Sequence, residues 1–236
     1  MAYMLRYGLI NEKEPREIVL LRGRGCFYKK CAFCDYHLDA SPDDEANRKL
    51  NQSVLSQVTG QYHDLEVINS GSFHELGPQT LDLIKQTAEE KNIKILHFEA
   101  HYLVRNRIPQ LREFFQGTEL RLKVGLESFD ENLRENILKK GMPNVTPEEV
   151  ASYFQEANFL VGITGQTQAM IQKDIDLGLK YFKRIALNVM CPNTAPIQPD
   201  QTIINQFIQN IYPKYKDDPR IDILLHNTDF TVGTPT

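Results

Sequence analysis

The sequence predicts an α/β fold on a parallel sheet, and three observations predict it. Six short β-rich runs alternate with stretches of helical period. Strands joined through helices run in one direction, so the runs belong to one parallel sheet. At 236 residues the chain is long enough for a sizeable core without disulfide staples.

In chain order the runs are EIVLLR (17–22), LEVINS (65–70), IKILHFEA (93–100), LRLKVGL (120–126), FLVGITG (159–165) and RIALNVM (184–190). Between them Ser41 and Pro42 supply an N-cap and a first-turn proline for one helix. Thr146, with Glu149 three residues on, supplies a capping box for another. Gly141 stops the helix ENLRENILKK. A last helix over 201–215 and a strand-like run, IDILL, precede a final segment with His226 and Asp229. No repeat or linker interrupts the chain, so 1–236 reads as one domain. The alternation fits an open doubly wound sheet or a curved partial barrel equally well, and either places ligands at the carboxyl ends of the strands.

Charge and composition narrow the partners. A net charge of -4 with only short basic pieces, such as Lys139-Lys140, disfavours nucleic acid as a main ligand. No apolar run approaches the roughly 20 residues that cross a bilayer, and no apolar leader opens the chain. The expectation is a cytoplasmic protein, not a membrane one, acting on a small molecule.

Chemistry concentrates after the first run, in GRGCFYKKCAFCDYH. Cys26, Cys31 and Cys34 form C-x4-C-x2-C, and thiolates so close in sequence suit an iron–sulfur cluster or zinc. With His37 the set could close a four-ligand structural zinc site. Three cysteines alone leave one iron of a cubane open to a ligand, which is the catalytic arrangement.

The segment CFYKKCAFC resembles the cluster signature of the radical S-adenosylmethionine (radical SAM) superfamily, usually C-x3-C-x-aromatic-C, with Phe33 in the aromatic slot and one extra residue between the first two cysteines. The resemblance implies a partial (βα)6 barrel, an α/β fold of the TIM-like type that matches the six units above. It implies a [4Fe-4S] cluster on Cys26, Cys31 and Cys34, with SAM chelated to the open iron. An electron from a donor such as flavodoxin or ferredoxin would then cleave SAM to methionine and a 5′-deoxyadenosyl radical. Ser70, Gly71 and Ser72 stand where the superfamily's glycine-rich turn meets the SAM amino group. Glu127 and Ser128 stand in its Gly-x-Glu-Ser segment, which reaches the ribose and carboxylate. Ile163 and Gly165 resemble its adenine-side motif, and Met190 lies where backbone after the sixth strand meets the adenine.

Substrate identity lies in what else lines the barrel mouth. His97, Glu99 and His101 alternate along the third run and share one face, a polar ladder able to bind a polar heterocycle and move protons. Glu99 and His101 are the catalytic candidates; Tyr36, His97 and Asn188 join them as substrate contacts. The compact chain, the cysteine loop and the FEAHY strand resemble the queuosine-salvage subgroup, in which a C–N bond of queuine is cleaved to release the 7-aminomethyl-7-deazaguanine precursor (preQ1). The implied substrate is a deazapurine, with Glu99 as acceptor for its guanine-like edge. Rival readings are a radical SAM enzyme modifying tRNA or protein, and a non-catalytic zinc-binding α/β domain.

Overall fold

The structure is a computed structural model that describes residues 5–226; Asp229 lies outside the described residues. The chain forms two compact units, one taking it as far as Lys29 and again over Tyr36–Leu122, the other taking Lys30–Asp35 and the chain from Lys123.

The first unit opens with an antiparallel hairpin of β1 (Tyr7–Ile10) and β2 (Arg16–Leu21), with Tyr7 opposite Val19. β1 escapes a reading by periodicity because its four half-exposed residues are too few to show one. β3 (Asp64–Asn69) and β4 (Ile95–Ala100) follow β2 in parallel, in register Glu17 with Leu65 and Asp64 with Ile95. α1 (Asp44–Leu55), α2 (Pro78–Glu90) and α3 (Ile108–Phe114) make the connections, and β5 (Glu119–Glu127) begins in this unit. The core is Val19, Leu21, Leu65, Val67, Leu96 and Phe98, all essentially shut from solvent. Burial of each contributes about 1.5–3 kcal/mol.

Ser41 is not the cap of α1. Its hydroxyl accepts from the Asp43 N–H and its carbonyl from the Asn47 side chain, so the helix starts two residues later, with Asp43 accepting from the Ala46 N–H.

In the second unit the Lys123–Glu127 half of β5 is followed in parallel by β6 (Glu156–Val161), β7 (Arg184–Val189) and β8 (Ile221–Leu224). The IDILL run is therefore a full parallel strand. α4 (Pro147–Tyr153) starts as expected, with the Thr146 hydroxyl accepting from the Glu149 N–H. α5 (Gln168–Tyr181), α6 (Gln201–Asn210) and α7 (Tyr212–Tyr215) complete the connections. The expected 201–215 helix is broken at Ile211, just before Pro213, which has no N–H to continue the ladder.

Two further departures lie at strand ends. β6 stops at Val161 because Gly162 turns the chain at φ 100°, where Ile204 leaves no room for a Cβ. The ENLRENILKK segment is a π-helical turn, Asn132–Ile137, whose wide ring the Leu138 N–H closes onto the Leu133 carbonyl at 2.9 Å. Such turns gather at functional sites. Among the described residues no helix is long and apolar enough to cross a membrane.

Candidate active site

In the first unit, the segment past the end of β2 is tied down at Arg22, Arg24 and Phe27. Asn51, wholly buried, accepts from the Arg22 N–H and donates to the Arg22 carbonyl. Arg24 pairs with Asp44, and its N–H donates to the Glu75 carbonyl. Gly25 has φ 85° with Ala40 pressed against it, a conformation and a space only glycine fits. Cys26 follows directly.

The turn after β3 meets this loop through Glu75. One carboxylate oxygen accepts from the Phe27 N–H and the other from the Ser72 N–H, closing a capping box at the 3-10 turn Phe73–Glu75. Gly71 lies between them, where a Cβ would collide with the Glu75 carboxylate and crowd the Cys26 backbone at 3.2 Å. The first cysteine and the Ser70–Ser72 turn are thus one built unit. Burial raises the Glu75 carboxyl above the ordinary glutamate range, against the lowering effect of the two N–H groups and Lys29.

The second unit holds the other two cysteines. The Ala32 N–H donates to the Leu138 carbonyl, the Ala32 carbonyl accepts from Ile197, and Asn193 donates to the Phe33 carbonyl. Asp35, buried, accepts from the N–H and hydroxyl of Thr194. Phe33 packs on a cluster that includes Leu138, Ile163 and Met190. Over its ring, 5.6 Å from the centroid, stands the Lys140 ammonium, which donates to Glu127 Oε1 at 2.8 Å. Burial alone would lower the Lys140 pKa, but Glu127 and the Cys31 and Cys34 sulfurs outweigh it and raise it. Glu127 reaches this lysine through a register shift between Gly125 and Glu127 and a left-handed backbone, φ 68°, rare for glutamate. Gly125 leaves the space: a Cβ there would lie 2.8 Å from Lys140 Nζ.

The expected site residues fall into sets. Ser70, Gly71 and Ser72 share the first unit's turn with Cys26, and the buried Ser70 hydroxyl has no hydrogen-bond partner among the described residues. The Ser72 hydroxyl accepts from the His101 N–H. Phe33, Ile163 and Met190 pack in one cluster, Met190 donating its N–H to Val161. Gly165, exposed at φ 89°, follows Ile163. Ser128 is fully buried, its hydroxyl donating to Asp174 and accepting from the Asp130 N–H.

The His97–Glu99–His101 ladder divides. His97 is wholly buried, its Nε2 2.9 Å from Asp64 Oδ1, an ion-pair approach without hydrogen-bond alignment, near the buried Arg16–Glu66 pair at the amino ends of the strands. Glu99 is half-buried nearer the other end. His101 has left the strand to cap a 3-10 turn, its Nδ1 accepting from the Leu103 N–H, which puts the neutral ring's proton on Nε2. Its ring lies 4.9 Å from Tyr28 and edge-on to Phe27 at 5.8 Å. Tyr36 is 41% exposed, and Asn188, on β7, has a buried Oδ1 without a hydrogen-bond partner among the described residues.

Reading the sequence missed Glu75, Lys140, Asp174 and Gln166. Ser72-x-x-Glu75 is a capping-box spacing and was open to view. Gln166, which accepts from Gly162 and donates to the Leu160 carbonyl, holds the turn after β6 but has no motif. Asp174, pushed up to about 6 by burial against the donors Phe129 and Ser128, sits in an ordinary helix pattern.

The donor set fits a cluster: three partly exposed thiols within nine residues, none in a disulfide, two of them flanking the ring on which a buried cation sits. No family model matches the chain. A solved queuine lyase from Clostridium spiroforme, bound to SAM and queuine, matches 98% of this chain and 100% of its own at 44% identity, with a TM-score of 0.93. The chain belongs to the queuine lyase family of radical SAM enzymes. The family's fold is the α/β partial (βα)6 barrel of radical SAM proteins, and its cofactors are a [4Fe-4S] cluster and SAM. Streptococcus suis SuiB shares the fold alone, at 13% identity and a TM-score of 0.52 over 86% of this chain and 48% of its own. An uncharacterized protein of Methanocaldococcus jannaschii is 28% identical over 163 residues, 61% of this chain and 44% of its own length, so the chain spans less than half of that relative.

Proposed function

We propose that this chain is a lyase that cleaves a C–N bond of queuine and releases 7-aminomethyl-7-deazaguanine. The supporting observation is 44% identity, spread over 98% of the chain, to a queuine lyase bound to SAM and queuine. When bound, the cluster and SAM supply one-electron reductive cleavage of a carbon–sulfur bond.

The chain's own residues bind and orient. Cys26, Cys31 and Cys34 hold the cluster. The unpartnered Ser70 hydroxyl, with the Gly71 and Ser72 backbone, receives the SAM amino group. Glu127 and Ser128 face the ribose and carboxylate side, and Ile163, Gly165 and Met190 the adenine. Glu99 accepts from the deazaguanine edge, and His101 offers its Nε2 proton. Tyr36 and the unpartnered Asn188 Oδ1 complete the substrate contacts, and His97, buried against Asp64 toward the amino ends of the strands, is left out of them. The electron comes from an external donor such as flavodoxin or ferredoxin, the setting is cytoplasmic, and residues 1–236 act as one domain.

The test is anaerobic. The purified chain is reconstituted with iron and sulfide, then given dithionite, SAM and queuine. A brown protein that forms 5′-deoxyadenosine and releases 7-aminomethyl-7-deazaguanine is the expected result. A brown protein that leaves queuine intact while forming 5′-deoxyadenosine overturns the substrate, and a colourless one overturns the cluster.

A further inference from the structure

Lys140 is a buried cation that the sequence motifs do not announce. Its ammonium has lost nearly all solvent, a cost of several kcal/mol for an isolated ion, and the surroundings are shaped to keep it. Gly125 clears its space, the irregular end of β5 turns Glu127 onto it, and the π-helical turn delivers it, the Lys140 N–H donating to the Arg134 carbonyl at 3.0 Å. The Phe33 ring, between Ala32 and Cys34, takes one face of the charge. That charge stands 2.8 Å from Glu127 and over the ring of Phe33, which lies in the chain between Cys31 and Cys34, and it acts on both sulfurs. An ion pair meant only to stabilise the fold needs no third party, and a buried pair is weak evidence of stability in any case.

We propose that Lys140 is a positioning charge for electron uptake: it sets the reduction potential of the cluster bound by Cys31 and Cys34, and Glu127 trims its field. The inference rests on the cluster reading above. Reduction adds one electron, supplied by an external reductant, and so adds one negative charge next to the lysine. A fixed positive charge at low local dielectric favours that state, and a fixed negative charge opposes it. Lysine and glutamate therefore have opposite effects, which separates a field from a scaffold.

The experiment is a redox titration of the reconstituted chain, followed by the electron paramagnetic resonance signal of the reduced cluster. Lys140→Met is expected to move the midpoint to more negative potential, Glu127→Gln to less negative, the double variant to a value between, and Lys140→Arg to stay near the wild type. Midpoints that do not move, or that move the same way in both single variants, overturn the proposal. Should Lys140→Met fail to fold, the sign of the Glu127→Gln shift decides alone. A wild-type chain that takes up no cluster overturns the underlying reading instead, and the visible spectrum recorded before titration tells the two failures apart.

Discussion

Glu75, past β3, and Glu127, at the end of β5, are buried to nearly the same degree, 7% and 6% exposed, yet they are held in opposite ways. Glu75 accepts from two backbone N–H groups rather than from a cation, so burial dominates and its carboxyl is raised. Glu127 has a lysine at 2.8 Å. Backbone donors fix the path of a loop, and Glu75 accordingly joins the Cys26 segment to the Ser70–Ser72 turn. A buried cation does something else: it imposes a field on whatever lies beyond it. One carboxylate is a clasp and the other is half of a charge device.

The comparison breaks most readily at Lys140. Removing it leaves Glu127 buried and unpaired, so Lys140→Met is expected to cost about 3–5 kcal/mol of unfolding free energy. Adding Glu127→Gln should return most of that, because both charges are then gone. Chemical denaturation of the cluster-free protein checks both, and a double variant no more stable than the single one would mean the pair is not the source of the cost.

Asp174 extends the clasp class. Like Glu75 it accepts from a backbone N–H, here with a serine hydroxyl, and burial pushes it up to about 6 from an ordinary 3.8. A carboxyl raised on folding contributes stability that is complete below its unfolded pKa and lost as pH rises through its folded one. Wild type should therefore lose about 2–2.5 kcal/mol relative to Asp174→Asn between pH 4 and pH 7. Paired denaturation curves across that range measure it, and a constant difference would remove Asp174 from the class. Glu75 should show the same sign. Glu75→Gln keeps the shape but weakens one acceptor, for an expected loss of about 1–2 kcal/mol and a reduced yield of reconstituted cluster.

This contrast also shows which parts of the molecule were legible in the sequence. The parallel strands were, because buried runs such as IVLL and VGL are continuous and end at polar turns. The cysteines and the Ser-Gly-Ser turn were, because each is a contiguous word. Lys140 was not: its partner lies thirteen residues away, and the pair forms only because β5 ends irregularly and the next segment is π-helical, neither of which leaves a period. His97 was readable as polar but not as buried against Asp64, since alternation gives a face and not a depth along the strand.

The smallest expected effect on stability belongs to Ser70, and it separates binding from folding. A clasp or an ion pair costs stability when it is cut, but the Ser70 hydroxyl is buried with nothing to cut. An unsatisfied buried hydroxyl is itself a liability of about 1–3 kcal/mol, so Ser70→Ala should leave the ligand-free protein as stable as wild type or up to about 1 kcal/mol more stable. If the hydroxyl is kept for SAM, the same variant should bind SAM about 10-fold more weakly, the worth of one good hydrogen bond. Calorimetric titration of SAM into the reconstituted protein reads the affinity, and thermal unfolding without ligand reads the stability. Loss of stability with unchanged affinity would assign Ser70 to the scaffold. Unchanged or raised stability with lost affinity would assign it to the ligand.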